Sequence, residues 1–286
     1  MIGRWLTRFV DAQAGWARPL GDFNHRWLSA LFRPMRPIKD LLNGTWLGHP
    51  LHPATTDIPI GAFLVAIVLD LIGPPGSAFW PVVVGLLAAL ASAFTGLADY
   101  SDTDGTARTR ATTHGTIMVI GSTLILISLV SRIAAIGHVA DGLAIGLLIV
   151  GTIVLTAGAY IGGDLVFVFG NMVSRHAFRG AGTKWIKLDT GDVADLSTLP
   201  EATPTKMRAG INDLVVVRVG DTVHAMHAVC AHAGGPMHEG TVTPDGCLEC
   251  PWHGSRFRLG DGRLARGPAV YDQPAYEVRP AEAGWS

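Results

Sequence analysis

Residues 142–163, GLAIGLLIVGTIVLTAGAYIGG, carry no charged side chain. A run of about 20 apolar residues is long enough to cross a bilayer as a helix, the one single-segment form that satisfies its own backbone polar groups in lipid. Three more apolar runs precede it, at 58–73, 78–98 and 115–131. The first is short and contains Asp70, expected near the opposite face and reaching the headgroups, with Asp57 as its expected N-cap and Pro59 suited to its first turn. The third extends to Ile136 if Arg132 snorkels to the interface. Mean hydropathy is +0.34 and only 16% of residues are charged, against roughly 25% in soluble proteins. Small residues recur four apart, at Ala89 and Ala93, Ser92 and Gly96, Gly158 and Gly162. They mark close helix contacts, and the short connections predict an antiparallel four-helix transmembrane bundle.

Charge orients the bundle. Residues 1–56 hold seven Lys or Arg against three Asp, interleaved with Trp5, Trp16, Trp27 and Trp46. This reads as short amphipathic helices, lying in the membrane interface with Arg33, Arg36 and Lys39 toward anionic headgroups, or packed on the protein's own domain. Loops 74–77 and 134–141 nearly lack basic residues. The 99–113 loop (Arg108, Arg110) and the stretch after the fourth run (Arg175, Arg179, Lys184, Lys187) carry them. The positive-inside rule places both termini in the cytoplasm, with the chain multi-pass in the cell inner membrane. Arg4 and Arg8 are followed by no continuous apolar core, so no signal peptide is expected. A net charge of −1 gives no basic field for nucleic acid.

The texture changes after residue 183. Short alternating runs (185–188, 214–219, 223–228) are separated by turn signals such as Val219-Gly220-Asp221 and Gly260-Asp261-Gly262, which predicts a small antiparallel all-β domain. The expected organisation is an interfacial segment 1–56, a transmembrane domain 57–163, a junction 164–183 ending in Gly180-Ala181-Gly182, and a β-domain 184–286. No internal repeat is legible.

That β-domain carries the chemistry. Cys230-x-His232 and Cys250-x-x-His253 lie on two separate loops. Two Cys-plus-His pairs suit a mixed-ligand [2Fe–2S] cluster, with two thiolates on one iron and two imidazoles on the other. Zinc is the competitor, although Cys-x-His is tighter than the usual spacing of structural zinc ligands. The third cysteine, Cys247, reads as a packed thiol or an alternative ligand. Three cysteines, none before residue 230, make no disulfide framework.

The stretches CAHAGGPM, CPWHGSRF and GRLARGPAVYDQPAYEVR resemble the Rieske [2Fe–2S] family, over roughly residues 184–281. The resemblance implies that Cys230 and Cys250 bind one iron, and His232 and His253 the other, with the two histidines near the surface as the electron exit. Gly235 and Trp252 stand where the quinol-oxidising Rieske proteins have two extra cysteines, and Phe257 stands where they have Tyr, whereas Ser255 matches. The head therefore looks like a Rieske-type ferredoxin, toward the negative end of the roughly −150 to +300 mV Rieske range. GHPLHP at 48–53, DIPIG at 57–61 and TGLAD at 95–99 resemble a bacterial family of four-helix membrane domains of unknown function, found fused to Rieske-like heads.

Polar groups gather at one end of the spans: His49, His52, Asp57, Asp99 and His114. Histidines on facing helices of a bundle can ligate a b-type haem, and His52 with His114 is the candidate pair. A quinone pocket would use the same residues. The blander reading is a polar cap on the helix ends, which the span-end position of both histidines favours. The expected protein is a membrane-anchored carrier passing single electrons between a cytoplasmic redox partner and a membrane or quinone-linked one. The alternatives are a haem- or quinone-binding oxidoreductase and a redox sensor. A Rieske oxygenase needs a further 2-His-1-carboxylate iron domain, for which the stretch after His253 is too short.

Overall fold

The computed structural model describes residues 2–177, 184–193, 195–281 and 284–285. Arg179 and the Gly180-Ala181-Gly182 end of the expected junction lie outside them. The chain forms two compact units, residues 1–38 with 50–171, and residues 39–49 with 172–286.

Seven helices come first: α1 (Ile2–Asp11), α2 (Ala14–Phe32), α3 (Arg36–Asn43), α4 (Leu51–Ile72), α5 (Phe79–Tyr100), α6 (Gly105–Ala134) and α7 (Gly142–Phe167). The last four are long and apolar enough to cross a membrane. Each turns large apolar side chains outward: Leu71 on α4, Leu87 on α5, Val119 on α6 and Ile153 on α7 are all more than 60% exposed. Phe63, Val82, Ile125 and Leu148 fill the interior. Helix α4 starts at Leu51, earlier than expected, with Pro50 at its N-cap. Pro53 falls in the first turn, where a missing N–H costs nothing. Asp57 is therefore inside the helix and not its cap, and Pro59 is internal.

Arg132 does not snorkel, and Asp70 does not reach for headgroups. Arg132 Nη1 and Nη2 donate to Asp70 Oδ1 and Oδ2 at 2.8 and 2.5 Å, with the Arg132 side chain 0% exposed. A two-pronged pair satisfies both charges inside the bundle. On α2, Ala17, Gly21, Leu28 and Phe32 are buried, and the helix packs on α5 and α6. Phe23 and Trp27 are exposed on the same helix, so α2 both packs on the protein and presents an open aromatic face.

The repeat that the sequence hides is visible in the packing. Helices α4 and α5 form one antiparallel hairpin, and α6 and α7 a second. His52 and His114, Phe63 and Ile125, Ala66 and Ser128 all keep the 62-residue offset that separates Asp70 from Arg132. On the return helices the matched residues are Gly85 and Gly151, Ser92 and Gly158, Gly96 and Gly162. A Cβ on Gly85 would strike Phe63 at 2.4 Å, and one on Gly151 would strike Ile125 at 2.6 Å. The small residues therefore seat the same partner position in each hairpin.

Apart from residues 39–49, the second unit is built on antiparallel β-sheets. One sheet has the order β1-β2-β3-β4-β9 and another β5-β6-β7-β8. The strands are β1 (Leu188–Asp189), β2 (Thr205–Ala209), β3 (Asn212–Val219), β4 (Thr222–His227), β5 (Thr241–Val242), β6 (Cys247–Glu249), β7 (Arg256–Arg258), β8 (Leu264–Arg266) and β9 (Ala275–Tyr276). The run Leu214–Val217 is continuously apolar because β3 is buried on both faces. Val215 and Val217 pack with Met226, Leu248 and Phe257, whereas Leu214 and Val216 pack with Leu196 and Met207. Of the expected 185–188 run, only Leu188 is in a strand. Residues 39–49 pack on this unit: a Cβ on Gly267 would stand 2.7 Å from Asp40 Oδ1 and 2.8 Å from Thr45 Oγ1.

Candidate metal centre

Two loops of the β-domain face each other. The first leaves β4 and carries Cys230 and His232. The second is the hairpin turn between β6 and β7, whose register pairs Glu249 with Arg256 and leaves Cys250–Ser255 as the loop. Both close in the same way. Gly234 N–H donates to Cys230 O at 3.0 Å, and Gly254 N–H to Cys250 O at 3.1 Å. Both glycines have positive φ, +88° and +76°, a conformation that side chains disfavour. Cys230 N–H is bonded to Gly235 O, and Cys250 N–H to Ser255 O, each at 2.8 Å.

This geometry brings like donors together. Cys230 and Cys250 are buried and face each other across the two loops. The neighbouring Cys230 sulfur and the backbone amides of Trp252 and His253 lower the Cys250 thiol, and Cys230 is pushed up by Cys250 and by burial. The His232 and His253 ring centres are 4.9 Å apart. Two imidazoles on one tetrahedral metal at about 2.1 Å would place them about 5.3 Å apart. The donor set thus fits a binuclear centre with one sulfur end and one imidazole end. Among the described residues, no three His, Cys, Asp or Glu side chains are grouped to hold a single ion. Gly235 is part of the cradle, because a Cβ there would stand 2.8 Å from Cys250 Sγ and 3.1 Å from Trp252.

Cys247 is elsewhere. It sits in β6 opposite Arg258, buried, with its thiol over Asp245 O at 3.9 Å. Burial and the Asp245 carboxylate raise its pKa. His253 is half-buried, but His232 is only 6% exposed, so the expectation that both histidines reach the surface holds for one of them. Met172, Val270 and Tyr271 line the space beside His232.

The bracing side chains escaped the motif reading. Gln273 is 2% exposed. Its Oε1 accepts from Ala231 N–H at 2.8 Å, and its Nε2 donates to His227 O and Val229 O at 2.7 and 2.8 Å. His176 Nε2–H donates to Val229 O at 2.9 Å. On the second loop, Arg266 donates to Gly254 O at 2.7 Å and pairs with Glu249 at 3.1 Å. Ser255 Oγ accepts from Ala269 N–H at 3.0 Å. An Arg, Gln or Ser bracing a loop from another strand has no local sequence signature.

In the helical unit, His52 and His114 also come together, with ring centres 6.4 Å apart at 75°. His52 Nδ1–H donates to Ser92 O at 2.9 Å, and His114 Nδ1–H to Gly158 O at 2.8 Å.

Comparison with known proteins matches the β-domain by sequence. The Rieske [2Fe–2S] domain family matches residues 189–277. The ferredoxin subunit of anthranilate 1,2-dioxygenase from Burkholderia cepacia is 34% identical over 79 residues, which are 28% of this chain and 72% of that protein. Ferredoxin CarAc from Metapseudomonas resinovorans is 36% identical over 75 residues, 26% of this chain and 69% of that one. A solved structure, the ferredoxin of carbazole 1,9a-dioxygenase from Nocardioides aromaticivorans IC177, aligns with 31% identity and a TM-score of 0.31, over 32% of this chain and 90% of that one. Through its β-domain, the chain belongs to the Rieske [2Fe–2S] family.

Proposed function

We propose that this protein is a membrane-anchored Rieske-type electron carrier. Cys230 and Cys250 hold one iron, and His232 and His253 hold the other. The observation that carries the reading is the pairing of like donors on two facing loops, sulfur with sulfur and imidazole with imidazole. A bound [2Fe–2S] cluster supplies one-electron chemistry. The chain supplies the rest. Backbone amides of His232, Ala233, Trp252 and His253 point at the two sulfurs and favour the more negative, reduced state. Leu248, Phe257 and Ala269 exclude water behind the sulfurs. His253, the more exposed ligand, is the electron exit, with the half-exposed Trp252 beside it as a docking surface for a redox partner protein.

Four apolar helices, with basic residues gathered at one end, anchor the head on the cytoplasmic side of the inner membrane. The test is electron paramagnetic resonance with potentiometry on the detergent-purified full chain. A reduced Rieske-type signal is expected, titrating toward the negative end of the Rieske range. A protein with zinc and no iron would overturn the reading.

A second reading, a membrane oxidoreductase that binds haem, is favoured by one observation: the convergence of His52 and His114.

A further inference from the structure

The two histidines sit at matched positions of the repeated hairpins, and their surroundings repeat as well. His52 on α4 is held by Ser92 O of α5 and seated on Gly96, where a Cβ would stand 2.9 Å from its Cε1. His114 on α6 is held by Gly158 O of α7 and seated on Gly162, where a Cβ would stand 3.0 Å from its Cε1. Each carbonyl accepts a hydrogen bond, so each Nδ1 carries the proton and each Nε2 a lone pair. Neither Nε2 has a hydrogen-bond partner among the described residues. An imidazole fixed by an Nδ1–H bond to a backbone carbonyl, with Nε2 left open, is the arrangement that metal-ligating histidines adopt.

The separation matches one metal geometry better than another. Two imidazoles on one metal at about 2.1 Å place their ring centres about 5.3 Å apart at a tetrahedral angle and about 6.5 Å apart when trans. The observed 6.4 Å fits the trans arrangement. Trans imidazoles are the axial ligands of a six-coordinate haem. A quinone carbonyl fits the pair poorly, because it needs N–H donors and both Nε2 atoms offer lone pairs. A polar cap would close the helix ends by hydrogen bonding, yet the open nitrogens make none.

We propose that His52 and His114 are the two axial ligands of one b-type haem, held across the interface between the α4–α5 and α6–α7 hairpins. The assignment deepens the second reading above and is independent of the cluster.

The test is the optical spectrum of the full chain, purified in detergent from haem-replete cells. A six-coordinate low-spin haem is expected, with a Soret band and a sharp reduced α band beside the cluster absorbance. His52→Ala and His114→Ala should each lose that spectrum and keep the cluster absorbance, which serves as the internal control for folding. His49→Ala should leave both unchanged. His114→Met offers a thioether in place of the imidazole and should keep a haem with altered bands, an outcome that a merely structural histidine would not give. Intact cluster absorbance with no Soret band, even after added hemin, would overturn the proposal. So would copper or zinc at the site by metal analysis, or either Ala variant keeping the spectrum of the unaltered protein. A Soret band without a cluster would leave this proposal standing and overturn the carrier reading alone.

Discussion

Of the three pairs of facing imidazoles among the described residues, two belong to candidate sites, and these two differ in both separation and support. His232 and His253 are 4.9 Å apart on irregular loops, each within three residues of a cysteine. His52 and His114 are 6.4 Å apart on regular helices with no cysteine near them in sequence. The first separation suits two ligands on one side of a metal, the second two ligands on opposite sides. Histidine alone specifies neither, since imidazole binds several metals. The backbone that carries the ring sets the angle. Two facing loops converge from one side, whereas two packed hairpins approach across an interface.

The sharpest way to break this contrast is Cys250→Ser. It should abolish the broad visible absorbance and the reduced paramagnetic signal of the β-domain, whereas Cys247→Ser should retain both. Spectra of the helical pair should not respond. A Cys250→Ser protein that kept a normal cluster spectrum would return Cys247 to the ligand set.

Support differs too. Side chains brace the β-domain loops, so a deletion reaches them. Gln273→Leu removes three hydrogen bonds, two of them fully buried, and leaves the Ala231 N–H without its acceptor, which should destabilise the domain by about 2–4 kcal/mol. Arg266→Leu should cost less, about 1–2 kcal/mol, since the Arg266 and Glu249 side chains are 24% and 30% exposed. Thermal unfolding followed by cluster bleaching checks both, and equal losses would mean that the first loop is not the more dependent on its brace. The helical pair is braced by backbone carbonyls and seated on glycines, so only added atoms reach it. Gly96→Ala puts a methyl 2.9 Å from His52 Cε1, and such overpacking costs about 1–3 kcal/mol. It should perturb the helical site and leave the cluster spectrum unchanged.

What was legible in the sequence follows from whether a signal is local. The four apolar helices and the four Cys and His positions are runs and spacings, readable from neighbouring residues. The start of α4 was missed because Asp57 followed by an apolar run looks like a cap, while Pro50 and Pro53 act earlier in the chain. The Asp70–Arg132 pair was missed because each charge, taken alone, looks like a span-end residue reaching for water; only their common depth in matched hairpins pairs them. The repeat was hidden because Phe63 matches Ile125 and Ser92 matches Gly158, identities that share a packing role and no chemistry. Gln273 and Arg266 act across strands, and nothing beside them in the chain marks their role. The basic residues and Trp of α2 leave interface and packing unresolved in the sequence, and the helix packs on α5 and α6 while keeping Phe23 and Trp27 exposed.

The smallest expected effect probes the contrast at its electronic end. Ser255 Oγ already accepts the Ala269 N–H, which leaves its own hydrogen for another acceptor; in the proposed loaded protein that acceptor would be a sulfur of the cluster. A hydrogen bond of that kind stabilises the reduced, more negative state. Its net worth of about 1 kcal/mol corresponds to about 40 mV for a one-electron couple. Ser255→Ala should therefore lower the cluster potential by about 40 mV. The same change leaves the Ala269 N–H without its acceptor, which affects thermal stability and not the potential, so potentiometry and melting separate the two roles. An unchanged potential with a lowered melting point would assign Ser255 to loop bracing alone. The helical pair has no side-chain hydroxyl on its outward nitrogens, so its spectrum and potential should not move, whatever happens at Ser255.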